Sequence, residues 1–468
     1  MGSLPRLALN KFIVDSIHGD VHLTDQEWRV LDTRPVQRLR HLKQLQMGHV
    51  TYPNATHTRF SHSLGGLAVM ARILQVAHDH GFKWTRRQYE DMRLAALLHD
   101  IGHYPYSHLM EHLDKVVLPE EEFGESPRRL GVEREPYPGH EQVGGIIAES
   151  QADLREAIGG PKRASGIAAL FSGSQSANPQ LRKLLHSSLD VDRLDYLLRD
   201  SRAAGVPYGN VDINYLLNAL QVSPSGIVGF SYKALPAAEH FLLARYFMHR
   251  CVYFHKTTYG LEEACRHLLR RMRERGEVPV DGSAVRETVS GTRLGDFDDS
   301  FVDRIVHKAA TDSEPVIAGL GRCIENRNPP KLLQEVIVLA NPSQQHHEGT
   351  TFLTNARHQL RKLADRNGIP LGHFLFCSLK PIKLEARGSQ LNEQEARELG
   401  AETEDELVKV FVPGEKEPKS LVGIPNSLIS VCGGNCLRIY RLYVVFDGHD
   451  RDRVVGRLRE QVSDWSRP

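Results

Sequence analysis

The chain has 468 residues, 40 % hydrophobic and 25 % charged, with 59 basic residues against 58 acidic ones. The resulting formal charge of +1 excludes a general electrostatic attraction for nucleic acid or an anionic membrane surface, although a local basic pocket stays open. The length calls for more than one small core, and six unevenly spaced cysteines argue against a secreted disulfide framework.

The N-terminal MGSLPRLALNKF has no long apolar core or cleavage-site pattern, and no window approaches the roughly 18 apolar residues of a membrane span. A cytoplasmic protein without membrane contact is the expectation. FIVDSIHG (12–19) reads as a short extended piece, and Thr24 with Glu27 three residues later marks a helix start. In PVQRLRHLKQLQM, Val36, Leu39, Leu42 and Leu45 recur at helical spacing. A turn-rich YPNATHTRFSHS leads to the helical pattern LGGLAVMARILQVAHDHG, and YEDMRLAALLHD reads as another apolar helix. Strand alternation is not convincing up to position 114.

Residues 118–139 mix acidic residues with Pro and Gly before GHEQVGGIIAES resumes a helix. A loop or short helices are expected over 159–180. Helical periodicity returns at 181–201 and 235–272, and after NRNPP (326–330) helices are expected to continue to about 366. HFLFCSLKPIKLEA and CLRIYRLYVVFDG read as strands, with a helix or solvated face over 393–407 between them. Cys432 and Cys436 are the only close cysteine pair, too loosely spaced and too isolated for zinc, so packing is expected. The fold class is therefore mainly α, a helical core with a smaller α+β C-terminal region. Its units are placed at 1–335 and 336–468.

LLHDIGHYPYSH (97–108) crowds three histidines and an aspartate beside an apolar segment. His99 and Asp100 are adjacent and cannot share one face within a helix, but at a helix end they can converge on one cation. His62 and Asp192 are candidates to complete the set. Two imidazoles with two carboxylates suit a borderline divalent ion such as Fe, Mn, Ni, Zn or Co. Judged singly, each of these histidines is more simply a core or surface residue.

An ordered set of motifs sharpens this: IHGDVHL (17–23), DTRPVQRLRHLKQL (32–45), HTRFSHSLG (57–65), HDIGHYPYSHLME (99–111), GHEQVG (139–144) and SLDVDRLDYLLRD (188–200). Together they resemble the HD-domain phosphohydrolases, and most closely their deoxynucleoside triphosphate triphosphohydrolase branch, which includes the vertebrate SAM-and-HD-domain enzyme and bacterial relatives. The resemblance covers roughly the first 270 residues, is fainter in the C-terminal 140, and includes no SAM domain ahead of the catalytic region.

The resemblance implies an HD-domain helical core with His62, His99, Asp100 and Asp192 as ligands of at least one divalent metal (Mn, Fe, Ni, Co, Zn or Mg). It implies catalytic roles for His103, His108, Glu111 and His140, with His103 favoured as general acid or base beside Glu111. For His108 and His140 the alternative is phosphate binding or helix capping. Arg59 matches a phosphate-contacting arginine, and Arg193 stands where the branch has a lysine. Asp192, Tyr196 and Asp200 fall at spacings of four and can share a helix face. Arg245, His249, Tyr253 and Lys256 fall on one approximate face of ARYFMHRCVYFHK, with Arg245 and Tyr253 implied in the nucleotide pocket. Gln44 and Leu45 match residues beside the sugar.

The implied reaction is attack of water on the α-phosphorus of a dNTP, releasing a deoxynucleoside and inorganic triphosphate. Lys11, Asp32, Gln37 and Arg40 match residues of an allosteric nucleotide site, which suggests a dNTP or GTP activator. Val14 replaces a polar asparagine there, and a structural ion network is the alternative for these four residues. A homo-oligomer, dimer or tetramer, is the implied assembly. Competing expectations are a phosphomonoesterase or phosphodiesterase using the same metal set, and a nucleotide sensor with weak turnover. No nucleic-acid module is indicated.

Overall fold

A computed structural model describes residues 5, 7–114, 134–172, 181, 185, 191–223, 227–340, 347–383, 408–415, 417–432, 435–448 and 450–466. The expectations for most of 118–139 and for 393–407 lie outside the described residues.

Strands β1 (Leu9–Asp15) and β2 (Gly19–Thr24) form an antiparallel hairpin. In its turn, Asp15 Oδ1 accepts the backbone N–H groups of Ile17 and His18 at 2.9 Å each. Strand β2 is a correction to the all-helical reading of this region. Only Val21 and Leu23 face the core, too short an alternation to stand out. Helix α1 (Asp25–Leu31) starts at the expected capping box, with Glu27 N–H donating to Thr24 Oγ1 and Thr24 N–H to Glu27 Oε2.

Helix α2 (Arg34–Arg38) tightens into a 3-10 turn at Leu39–His41 and stops, whereas the spacing of Leu42 and Leu45 suggests continuation. The backbone leaves the helix because other acceptors claim it. Lys43 N–H donates to Asp299 Oδ2 at 2.9 Å, Gln44 N–H donates to His57 O at 3.0 Å, and Gln46 sits at φ 47°.

Helix α3 (Arg59–Asp79) is buried over most of its circumference, the pattern of a central helix rather than a surface one. It packs against α4 (Arg86–Leu98) and, further along the chain, α9 (Val191–Ala204). Between them lie α5 (His108–Glu111), α6 (His140–Ser150), α7 (Ala152–Ile158) and α8 (Pro161–Ser172). Thus 161–172 is a helix, with 173–180 outside the described residues. After α10 (Ile213–Asn218), α11 (Leu235–Met248) runs through a π turn at His249–Tyr253 and gives way to α12 (Lys256–Glu274). Helices α13 (Gly282–Ser290), α14 (Asp299–Ala309) and α15 (Pro315–Glu325) close the helical part.

The helix expected directly after position 330 is instead strand β5 (Lys331–Ala340), an apolar run whose period alone does not separate strand from helix. It pairs antiparallel with β10 (Cys436–Val444), which also pairs with β6 (Phe374–Ser378) and β7 (Ile382–Lys383). Alternation divides this sheet between two cores. Ile439, Tyr443, Leu375 and Cys377 join the main helical core, while Tyr440, Leu442 and Phe376 face α16 (His347–Asn367) and a C-terminal helix (Arg451–Val462). A second sheet, ordered β3 (Leu220–Val222), β4 (Val228–Ser231), β8 (Lys409–Phe411), β9 (Lys419–Ser420), joins strands from both parts of the chain, and its Leu220, Phe230 and Val410 pack in the main helical core. Among the described residues no helix is long and apolar enough to cross a membrane.

Candidate functional site

Three helices bring four side chains together. His62 projects from the first turn of α3, His99 and Asp100 follow the last residue of α4, and Asp192 lies in the first turn of α9. His62 Nε2 is 2.9 Å from Asp192 Oδ1 and 3.7 Å from Asp100 Oδ2, and His99 Nε2 is 3.3 Å from Asp100 Oδ1 and 4.0 Å from Asp192 Oδ1. Each ring has its other nitrogen committed, His62 Nδ1 to Asp195 Oδ2 at 2.7 Å and His99 Nδ1 to Ala96 O at 2.8 Å. The two Nε2 atoms are buried and make no hydrogen bond among the described residues. Nε2 lone pairs aimed at two carboxylates form the donor set of a divalent cation, with each Nδ1–H bond fixing the tautomer that leaves Nε2 free. The residues fit the group. Asp192, its side chain 41 % exposed beside buried His62 and Asp100, marks the side open to solvent.

A second histidine group adjoins the first. The His103 and His140 rings stack at 4.1 Å, and His108 lies 5.2 Å from each. His103 Nε2 is 3.2 Å from Asp100 Oδ1. Glu111 takes its hydrogen bonds from His108 Nδ1 at 2.7 Å and from His140 N and Nδ1 at 2.9 and 3.1 Å. The pairing of His103 with Glu111 suggested by sequence is therefore replaced by pairing with His108 and His140. The cause is the turn between these residues. Tyr106 and Ser107 both adopt positive φ (51° and 50°), which swings His108 back over His103. Non-glycine residues in such conformations cost about 1–3 kcal/mol each and persist only where contacts over-determine them. Here Tyr106 N–H donates to Asp299 Oδ1 at 2.8 Å, and Arg59 Nε donates to Ser107 Oγ at 2.9 Å. Gly102 allows the start of α6 to close on this loop, since a Cβ there would overlap the His140 carbonyl.

Burial pushes the Glu111 carboxyl up, but the hydrogen bonds from His108 and His140 outweigh it and hold the group well below the usual carboxylate range. Burial pushes His140 down, and Glu111 reverses this to a net rise. Burial, with Arg59 and His140 nearby, depresses His103 well below an ordinary histidine. One imidazole held neutral beside another held protonated can serve as base and acid of one proton relay.

Arg59, matched by sequence to a phosphate contact, also donates from Nη1 to Asp100 Oδ2 at 2.7 Å, with both side chains buried. On α9, Arg193 follows Asp192, and Tyr196 and Asp200 lie at the expected spacings. Asp200 Oδ1 is 2.7 Å from His57 Nε2, and its Oδ2 accepts Tyr253 O–H at 2.9 Å. Tyr196 meets Tyr253 edge-on at 6.2 Å. The π turn carries Tyr253 inward from the helix that bears Arg245, with His249 against its ring at 4.9 Å. Lys256 does not continue that face, because the helix ends at Phe254 and restarts. Gln44 Oε1 is buried without a hydrogen bond among the described residues, and Leu45 is half-buried beside the core.

Further away, Lys11 Nζ lies 4.3 Å from the Trp28 ring, and Asp32 caps the C-terminus of α1. Arg40 Nε donates to Gln37 Oε1 at 2.9 Å while its guanidinium covers the Phe60 ring. Sequence reasoning missed His57 and Asp195. Each was signalled only indirectly, His57 by opening the HTRFSHSLG motif and Asp195 by its place three residues after Asp192.

Residues 59–200 match the HD domain and residues 211–288 the HD associated region. The chain is 31 % identical over 280 residues to the uncharacterized protein YwfO of Bacillus subtilis, covering 58 % of this chain and 57 % of that protein. It is 31 % identical over 215 residues to the deoxynucleoside triphosphate triphosphohydrolase SAMHD1 of Homo sapiens, covering 42 % and 34 %. The chain spans about half the length of the curated relatives it matches. A crystal structure of a phosphohydrolase from Bacteroides thetaiotaomicron shares the fold at a TM-score of 0.67 and 22 % identity, over 93 % of this chain and 99 % of that one. The chain thus carries an HD domain with its associated region, candidate His/Asp metal clusters, and a distant relationship to SAMHD1.

Proposed function

We propose that this HD-domain chain is a metal-dependent phosphohydrolase that cleaves deoxynucleoside triphosphates to deoxynucleoside and inorganic triphosphate. The observation that carries the reading is the pair of buried Nε2 atoms of His62 and His99, aimed at Asp100 and Asp192 within reach of the His103–His108–His140 group. The dNTP substrate and the product split rest on the motifs shared with the triphosphohydrolase branch and on the relationship to SAMHD1.

A divalent ion bound by His62, His99, Asp100 and Asp192 would supply charge that polarises a phosphate and acidifies a water. The chain's own groups do the rest. Neutral His103, next to Asp100, accepts a proton from the attacking water. His108 and His140, both donating to Glu111, hold a proton for the departing sugar oxygen. Arg59 holds Asp100 in place and faces the phosphates with Arg193 and Arg245. Asp200, braced by His57 and Tyr253, takes a sugar hydroxyl, with Tyr196, Gln44 and Leu45 as walls.

The reading extends to a homo-oligomer, dimer or tetramer, and to a dNTP or GTP activator held at Lys11, Asp32, Gln37 and Arg40. The test is incubation of metal-loaded protein with each dNTP, singly and mixed, with products resolved by ion exchange. Deoxynucleoside plus triphosphate is the expected result, and turnover confined to mixtures would reveal activation. Monophosphate products would move the chemistry to another phosphoester bond, and binding without turnover would make the protein a sensor.

A further inference from the structure

The motif IHGDVHL has no part in the reaction just described, yet the first of its two histidines, His18, reaches the buried Asp195. His18 Nε2 lies 2.7 Å from Asp195 Oδ1, and Asp195 Oδ2 lies 2.7 Å from His62 Nδ1. We propose that Asp195, clamped by His18 and Arg199, is the positioning residue that aims His62 at its ion, so that the β1–β2 turn sets the metal affinity of the site. This rests on reading His62 as a metal ligand.

The clamp is closed at every member. Asp195 is fully buried, and besides the two histidines it accepts Arg199 Nε on Oδ2 at 2.7 Å and Arg199 Nη2 on Oδ1 at 2.9 Å. Four donors saturate a carboxylate. Arg199 also donates from Nη1 and Nη2 to the two oxygens of Asp15, at 2.9 and 3.0 Å. Asp15 in turn accepts the backbone N–H of His18, which closes the circuit from ring to backbone of one residue.

Gly65, one turn after His62 on α3, is the space this needs. A Cβ there would overlap the Asp195 carboxylate and the Arg199 guanidinium. An Arg–Asp pair serving only to join α9 to the hairpin would leave the His62 ring free to rotate or change tautomer. Here the bond to Nδ1 holds both orientation and tautomer. Partners of this kind are worth about 10–100-fold in metal affinity when removed.

The experiment is calorimetric titration of metal-stripped protein with Mn2+ alone, with circular dichroism and melting to verify the fold. The proteins are the unchanged chain, Asp195→Asn, His18→Leu and His18→Gln. Asp195→Asn is expected to weaken Mn2+ binding about 10–100-fold. His18→Leu should weaken it in the same direction, and His18→Gln, whose amide nitrogen falls near the position of Nε2, should recover most of the loss. If Asp195→Asn does not fold, the two His18 variants decide. Folded Asp195→Asn or His18→Leu that binds within about twofold of the unchanged chain overturns the inference, as does a His18→Gln no better than His18→Leu. An unchanged chain that folds but takes up no Mn2+ overturns the metal reading and this inference together. Binding that the variants leave unaltered overturns this inference alone.

Discussion

Glu111 Oε1 holds His140 twice, accepting its backbone N–H at 2.9 Å and its ring Nδ1 at 3.1 Å. The ring therefore titrates above an ordinary histidine despite its burial. A raised histidine pKa means that the stabilisation of the protonated form is complete below the usual histidine value and is lost as pH rises through the folded one. Activity that depends on a proton of this pair should fall on the alkaline side. In Glu111→Gln that fall should move to lower pH and kcat should drop by roughly 100-fold, the lower end of what general acid–base catalysis contributes. The pH dependence of kcat for both proteins checks this, and an unmoved alkaline limb would count against it.

The Arg93 guanidinium lies 2.6 and 3.0 Å from the two carboxylate oxygens of Glu27, with both side chains buried. Through Thr24 and Glu27 the pair ties the start of α1 and the end of β2 to α4, which delivers His99 and Asp100. Removing one partner strands a buried charge, so Arg93→Ala should cost about 3–5 kcal/mol. Denaturant unfolding of Arg93→Ala should show this, with a much smaller loss when Glu27→Gln accompanies Arg93→Met.

What the sequence made legible follows from how local each signal is. The capping box at Thr24 and Glu27, and the helices that hold His62, His99 and Asp192, depend on residues within a few positions of one another. Strand β5 escaped because KLLQEVIVLA is apolar on both faces, although only Leu333, Val336 and Val338 pack in the smaller core while Ile337 and Leu339 stay exposed. The stop after α2 escaped because its cause, Asp299, lies 256 residues from Lys43. Asp195 and His57 escaped for the same reason. Each acts through a partner, His62 and Asp200, more than a hundred positions away.

Glu262, beside Glu263 on α12, has its pKa pushed up to about 8 by burial, against the pull of Arg266. An unfolded glutamate titrates near 4.3, about four pH units lower, so the folded chain keeps this proton where the unfolded chain loses it. The stabilisation is complete below about pH 4 and disappears as pH rises through about 8. Glu262→Gln should remove this contribution, leaving stability less dependent on pH across that window. Melting curves of both proteins from acid to mildly alkaline pH would reveal equal slopes if the argument is wrong.

Metal binding should register as stability whether or not a substrate is known. A ligand that binds only the folded state at a hundred times its Kd adds about 2.7 kcal/mol. Mn2+ added to stripped protein should raise the melting temperature, and a chelator should reverse the rise. His62→Ala and Asp192→Asn should abolish the response, because each removes one of the groups whose atoms lie 2.9 Å apart at the centre. A rise that persists in both variants would place the ion elsewhere.

Asp200 is the carboxylate braced from both sides, by His57 Nε2 at 2.7 Å and Tyr253 O–H at 2.9 Å. A carboxylate so held presents its remaining lone pairs in one direction, which suits recognition of a hydroxyl. Tyr253→Phe removes one brace, and the loss of a hydrogen bond to a charged group is worth about 1.5–3 kcal/mol, or roughly 10- to 150-fold. Because this edge is set apart from the histidines that handle protons, the loss should fall on KM more than on kcat. His57→Ala should act in the same direction. The double variant should lose less than the product of the two single losses, since both act through one carboxylate. A Tyr253→Phe enzyme with unchanged KM and reduced kcat would instead put Tyr253 among the reacting groups.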